Sequence, residues 1–242
     1  MALFDNQQEI SWFVGILDGE GSFDHRAGFI NITNTDLDII DKCYTILKNN
    51  GIDSKVYNDS IRIGRKPASR IYVPRLDWHK FCRLFGDKLE CRLVFLQPES
   101  SSETTRTPTV DLHWLMGIWE AEGTLSLCAN HKDQYTPRIK LANTNEKIIS
   151  KIRVTLNSLG AAYYCKDFRV GSKKPYTDIG IHGAKRAIRF LNIAKGLWRS
   201  SRNIKRSELL IKYINSRFSK PQNVSYSDEE RNIYHQMQQL NG

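Results

Sequence analysis

The sequence predicts an α+β protein of two pseudo-symmetric half-domains, each of order αββαββα and each built on a four-stranded antiparallel sheet. Three observations lead there: the chain repeats itself, hydrophobic periodicity changes at one fixed place in each repeat, and a linker-like stretch separates the copies. Residues 12–23 read Trp-Phe-Val-Gly-Ile-Leu-Asp-Gly-Glu-Gly-Ser-Phe, and residues 114–125 read Trp-Leu-Met-Gly-Ile-Trp-Glu-Ala-Glu-Gly-Thr-Leu, an offset of 102. Ile30, Ile32, Asn34, Thr35, Ile39, Ile40, Lys42, Leu47 and Gly51 then match Ile139, Leu141, Asn143, Thr144, Ile148, Ile149, Lys151, Leu156 and Gly160 at an offset of 109. The second copy therefore holds seven more residues between the two blocks. Between the copies, Gln97 to Val110 contains Pro98, Pro108 and a run of Ser and Thr, a linker composition. The expected organisation is a half-domain over 1–98, a linker over 99–110 and a half-domain over 111–242.

Each element follows from local pattern. Ile10, Phe13, Val14, Ile16 and Leu17 keep a helical period, as do Leu112, Leu115, Met116, Ile118 and Trp119. Gly21 and Gly123 stand where a left-handed C′ glycine would end each helix. The period then becomes two. Phe23, Ile30 and Ile32 face one way and Ser22, Asn31 and Thr33 the other, with Ala27-Gly28 as a hairpin turn. Leu125, Leu127, Ile139 and Leu141 alternate likewise with Thr124, Ser126, Arg138 and Lys140, and the seven extra residues fall in the turn near Lys132. Helices are expected at 36–49 and 145–158, each after an Asn-Thr pair able to cap it. Second hairpins are expected over 55–73 and 163–182, then basic helical segments over 75–96 and 184–217. Ser227 to Glu230 begins a capped terminal helix.

Composition narrows the function classes. The 242 residues carry 36 Lys+Arg against 26 Asp+Glu, a net charge of +10, with 40% hydrophobic residues. A chain of this length and apolar content buries a core without staples. The charge surplus fits a polyanionic partner such as nucleic acid, or ordinary solubilising charge. No apolar run approaches a membrane span, so no membrane partner is expected. Met1 to Glu9 is polar with two acids, so neither a signal peptide nor a basic transit peptide is expected. Cys43, Cys82, Cys91, Cys128 and Cys165 form no Cys-x-x-Cys pair, which argues against a disulfide framework or zinc knuckle. The six histidines show no His-x-x-x-His pair, so a His-metal hydrolase is not expected.

The repeated helices carry the chemistry. Each ends in two acids, Asp18 and Glu20 in one copy, Glu120 and Glu122 in the other. Small residues four apart, Gly15 with Gly19 and Gly117 with Ala121, share one helix face and permit close approach of two backbones. A carboxylate at a helix C-terminus opposes the dipole, and two such ends together repel. A divalent cation relieves both, and hard oxygen ligands suit Mg²⁺. Phosphodiester cleavage is chemistry that paired carboxylates with divalent ions perform, so Glu20 and Glu122 are candidate metal ligands of a nuclease.

Phe13 to Gly21 and Leu115 to Gly123 resemble the two motifs of a single-chain LAGLIDADG homing endonuclease. The resemblance covers nearly the whole chain. It implies two saddle-shaped sheets that lie in the DNA major groove, joined at the motif helices. It also implies a monomer by internal pseudo-dimerisation that cuts both strands of a long, nearly asymmetric double-stranded DNA target, leaving 3′ overhangs in the service of intron mobility. Glu20 and Glu122 take the eighth motif position and the metal role, with Gly19 and Ala121 beside them in the metal set, while Asp18 and Glu120 match a usually structural sixth position. Mg²⁺ is the implied cofactor, with Mn²⁺ able to substitute and Ca²⁺ able to occupy the site without turnover. Asn34 and Asn143 fall where the family orders water near the metals, a place that helix capping also explains. Lys205 matches the basic residue that flanks the cleavage centre. In the first copy that register gives Leu89, with Lys88 beside it. Family members also act as maturases that bind intron RNA, and a pure maturase can lose the acid pair that this chain keeps. The resemblance further implies an intracellular protein, organelle-encoded or bacterial, and not secreted.

Direct readout needs side chains that reach base edges from the outward strand positions. In the first copy these are Arg26, Asn31, Thr33, Arg62, Arg65, Arg70 and Tyr72. In the second they are Lys132, Arg138, Lys140, Lys166, Arg169, Lys173 and Tyr176. The charge is uneven: residues 1–98 hold 13 basic and 13 acidic residues, residues 111–242 hold 22 and 11.

Overall fold

In a computed structural model of the chain, residues 6–24, 29–59, 66–90, 109–130, 134–169, 174–221 and 224–241 are described. They form two compact units, residues 1–122 with 145–155, and residues 123–144 with 156–242. The second repeat's first helix thus belongs to the first unit.

In the first unit, α1 (Asn6–Glu20) leads into β1 (Gly21–Asp24) and β2 (Phe29–Asn34). Next come α2 (Leu37–Asn49), β3 (Lys55–Asn58), β4 (Ser69–Pro74) and α3 (Trp78–Phe85), then α4 (Leu112–Glu122) and most of α5 (Glu146–Ser158). The antiparallel sheet runs β1-β2-β4-β3. Burial alternates along β2 and β4: Ile30, Ile32, Ile71 and Val73 are buried, while Asn31, Thr33, Arg70 and Tyr72 stand on the opposite face. Helices α1 and α2 pack on the buried face. Phe81 and Phe85 of α3 extend the core, the Phe85 ring 4.9 Å from Phe13 on α1.

In the second unit, β5 (Gly123–Asn130), β6 (Gln134–Asn143), β7 (Tyr164–Phe168) and β8 (Tyr176–Ile181) give the same order, β5-β6-β8-β7, also antiparallel. The first hairpin is longer here, strands of 8 and 10 residues against 4 and 6, which absorbs the extra residues expected in it. Three helices follow, α6 (Ala184–Ile193), α7 (Ser201–Phe218) and α8 (Asp228–Asn241).

The fold class agrees with the sequence reading, and four local details differ. Gly21 and Gly123 are not left-handed; those conformations occur at Gly51, Gly160, Gly183 and Gly196. Helix α1 runs straight into β1, and Gly21 is required for room, since a Cβ there would lie 2.4 Å from the Leu17 carbonyl oxygen. The left-handed stops belong to α2 and α5. Gly51 (φ 67°) and Gly160 (φ 59°) each donate to the carbonyl three back, and Ile52 and Ala161 donate to the carbonyl five back. This is the paired C-terminal closure in which the following apolar residue is buried, as Ile52 and Ala161 are. The caps of α2 and α5 are Asp36 and Asn145, two residues beyond the asparagines expected to serve. The basic segment over 184–217 is broken at Gly196 (φ 79°) into α6 and α7, and in 75–96 the described helix is α3 between two 3₁₀ turns. The terminal helix does form as expected: Ser227 N donates to Glu230 Oε2 at 2.7 Å and Glu230 N to Ser227 Oγ at 3.4 Å.

Candidate active site

The site grows from the contact of α1 with α4. Gly15 and Gly117 face each other so closely that a Cβ on Gly15 would lie 2.3 Å from Trp114 O. One on Gly117 would lie 2.0 Å from Trp12 O. One turn on, Gly19 faces Ala121, whose Cβ would be 2.5 Å from a Cβ at Gly19. The four-residue spacing of small side chains is thus the contact line.

Two reciprocal hydrogen bonds lock the pair. Trp12 Nε1 donates to Glu120 Oε2 at 2.7 Å, and Trp114 Nε1 donates to Asp18 Oδ2 at 2.8 Å. All four residues are buried. Asp18 also accepts from Glu90 N at 3.0 Å, and Lys151 Nζ pairs with Glu90 Oε1 at 3.0 Å while lying 4.3 Å from the centre of the Trp114 ring. Burial pushes the Asp18 carboxyl up to about 6, against the Trp114 and Glu90 donors and the Lys151 charge. The sixth-position acids are therefore tied into the helix contact.

The eighth-position acids lie at the ends of the same two helices. Glu20 is pushed up to about 7, first by burial and then by the negative charge of Glu122. The two carboxylates sense each other across the helix ends, and Gly19 lies against Glu122, its position for a Cβ 3.1 Å from Glu122 Cγ. Asn34 Nδ2 donates to Glu20 Oε1 at 3.4 Å, while Asn34 Oδ1 accepts from Asp36 N at 2.8 Å. Asn34 thus connects Glu20 to the residue that caps α2.

Glu20, Glu122, Gly19, Ala121 and Asn34 come together in the first unit. Lys88 is half-buried and turned back on its own chain, its Nζ donating to Leu84 O at 3.1 Å. In the second unit, Asn143 ends β6 in register with Thr177, and Lys205 is exposed on α7. A cation fits this donor set. A desolvated carboxylate beside a second one is an arrangement that positive charge relieves. Among the described residues no three His, Cys, Asp or Glu side chains cluster as a closed metal cage. The remaining ligands would come from backbone, water or phosphate oxygens, as is usual for Mg²⁺.

The open sheet faces carry the expected contact residues. On the first, Asn31 lies opposite Tyr72 and Thr33 opposite Arg70. On the second, Arg138 lies opposite Ser126, Lys140 reaches Asp178 at 3.4 Å, Lys166 lies opposite Asp178, and Tyr176 stacks on Phe168 at 5.4 Å. Arg169 is exposed just beyond β7. Arg26, Arg62, Arg65, Lys132 and Lys173 lie outside the described residues. The indole donors of Trp12 and Trp114 were not foreseen from the sequence. The signal was present: both tryptophans and both sixth-position acids are related by the same offset of 102.

A closely packed pair of helices, each ending in a carboxylate and running directly into an antiparallel sheet, agrees with the resemblance carried by the two motifs. Residues 7–86 match the model of the LAGLIDADG-like domain family, and the whole chain has the fold of LAGLIDADG homing endonucleases. It is similar to I-GzeII in complex with its DNA target, at 13% identity and a TM-score of 0.62 over 95% of this chain and 96% of that one. It is likewise similar to I-SmaMI bound to cleaved DNA, at 13% identity and 0.61 over 94% and 96%. A third likeness is I-SmaMI bound to an uncleaved target with calcium ions, at 12% identity and 0.59 over 94% and 98%. No curated protein sequence matches the chain.

Proposed function

We propose that this protein is a site-specific double-strand DNA endonuclease that hydrolyses phosphodiesters with a divalent cation held by Glu20 and Glu122. The observation that carries the reading is the acid pair itself: two carboxylates at adjoining helix ends, one raised to about 7 by burial and by the other. The sixth-position acids are held in the helix contact, and the eighth-position acids stand beside each other at the helix ends. Mg²⁺ bound there would supply a Lewis acid for the phosphate and lower the pKa of a bound water. Mn²⁺ would substitute and Ca²⁺ would occupy the site without turnover, in keeping with I-SmaMI bound to an uncleaved DNA target in the presence of calcium ions.

The chain's own residues do the rest. Gly19 and Ala121 bring the helix ends together, Asn34 orients Glu20, and the open faces of the two sheets grip a long target. Lys205, Lys88 and Asn143 belong to the proposed machinery as cations and a water-ordering amide near the cleavage centre. The DNA-bound complexes of I-SmaMI and I-GzeII support the duplex as substrate. The two unlike repeats make the target asymmetric and let one chain act as a monomer; 3′ overhangs and intron mobility complete the reading.

The test is Mg²⁺-dependent cleavage of a library of long duplexes by the parent, Glu20→Gln and Glu122→Gln. Both strands are cut by the parent, and each variant loses double-strand cleavage. Cleavage by either variant at the parental rate refutes the metal assignment. A parent that never cuts but binds a structured intron RNA tightly transfers the reading to a maturase.

A further inference from the structure

We infer that the strand-borne part of the first repeat's sheet reads A·T base pairs, by van der Waals contact with thymine methyl groups and by an amide to adenine. This rests on the duplex-binding reading above and specifies the sequence class of that substrate.

The open face of this sheet carries three aromatic rings beside Lys55 and Arg70. Phe29, Tyr72 and Tyr57 run diagonally across β2, β4 and β3, with ring centres 5.3 Å and 6.4 Å apart. Tyr57 is 50% exposed. Thr33, which presents a methyl, lies in register with Arg70, and Arg70 lies in turn opposite Tyr57. The Arg70 guanidinium is engaged by Asp59 at 3.1 Å, which leaves it less able to fork onto a guanine. Asn31 sits between Ser22 and Tyr72 in register, and an Asn amide pairs with the adenine edge. The only base-pair feature in the major groove that rewards an apolar neighbour is the thymine methyl.

The second sheet also carries aromatic rings on the equivalent face, Tyr164, Phe168 and Tyr176, but more cations beside them. Arg138, Lys140 and Lys166 stand there, the cations that favour guanine or phosphate. The charge balance agrees, since residues 1–98 are neutral overall and residues 111–242 carry twice as many basic as acidic residues. One chain would therefore read its two half-sites by different physics.

The experiment is affinity selection from a random duplex library at fixed salt, with the parent, Tyr57→Ala and Arg138→Ala. Tyr57 is exposed, so its truncation spares the fold. Comparing each variant with the parent maps its sheet onto the recovered site. The positions that lose preference in Tyr57→Ala are expected to be A·T pairs. Deoxyuridine in place of thymidine at those positions, which removes only the methyl, weakens parental binding about fourfold per contacted base, the worth of one buried CH₂ group. Tyr57→Ala is indifferent to that replacement. The inference is overturned if Tyr57→Ala changes no preference, if the changed positions are G·C, or if deoxyuridine binds as well as thymidine. A parent that recovers no duplex overturns the endonuclease reading together with it.

Discussion

Gly117→Ala isolates the physics of the motif helices. A single added methyl would stand 2.0 Å from the Trp12 carbonyl oxygen and within 3.1 Å of Gly15 Cα. Both neighbours are backbone, so neither yields by rotation. Restoring an ordinary 3.4 Å contact requires the helices to separate by about 1.4 Å locally, and the interior is too densely packed to absorb that. The separation strains the Trp12–Glu120 and Trp114–Asp18 bonds, now 2.7 Å and 2.8 Å. Overpacking costs about 1–3 kcal/mol, and weakening hydrogen bonds to charged, buried carboxylates costs about 1.5–3 kcal/mol more. The expected loss is roughly 3–5 kcal/mol, a large share of a typical total of about 5–15 kcal/mol. At about 2–4 °C per kcal/mol for a chain of this size, the midpoint falls by roughly 10 °C. Urea and thermal unfolding measure it, with Gly51→Asn as the reference: Gly51 is left-handed with open space around it, a conformation Asn tolerates. If Gly117→Ala unfolds within 1 kcal/mol of the parent, the close approach of α1 and α4 is not as described.

Four further outcomes follow from the same geometry. Trp114→Phe removes the indole donor to Asp18 and is expected to cost about 1.5–3 kcal/mol; a urea midpoint equal to the parent's would dismiss that bond. For pH, Asp18 rises from 3.8 to about 6 and Glu20 from 4.5 to about 7 on folding, so the native state holds protons that the unfolded chain releases. Their contribution to stability is full below pH 4 and is lost as pH rises through 6 to 7. Asp18→Asn should flatten the lower part of that slope in a metal-free thermal titration; an unchanged slope would exclude Asp18 as its source. Met237→Ala, at a fully buried position on α8, is expected to cost about 2–5 kcal/mol, and calorimetry showing less than 0.5 would mean that α8 is an appendage. Finally, duplex binding should weaken steeply with salt. Charge removal at Arg138 and Lys166 should reduce the salt slope more than charge removal at Lys55; equal slopes would refute the uneven division of phosphate contacts.

Much of this protein was legible before any coordinates. The switch from period 3.6 at Phe13 to period 2 beyond Gly21 is a local pattern, because burial on one face imposes it residue by residue. Repetition of that switch at an offset of 102 specified two sheets of one topology, both of which are present. The lengthened first hairpin of the second repeat was readable as an insertion. Less legible were the chain reversals. Gly21 and Gly51 look alike in sequence, yet one is required for room beside Leu17 and the other for its left-handed backbone. Likewise Asn34 and Asp36 are both good caps, and only the hydrogen bonds show that Asp36 serves α2 while Asn34 reaches Glu20.

The sequence by itself determined the repeat, the alternation of faces, the small-residue stripe and the acids that end each motif helix. Tertiary structure decided which acid does what. Asp18 and Glu20 are chemically alike and two residues apart, and on a helix that spacing turns them to different sides. One side meets the Trp114 indole and is held in a structural bond, while the other meets Glu122 and Asn34. That division depends on partners about a hundred residues distant, which no local pattern encodes.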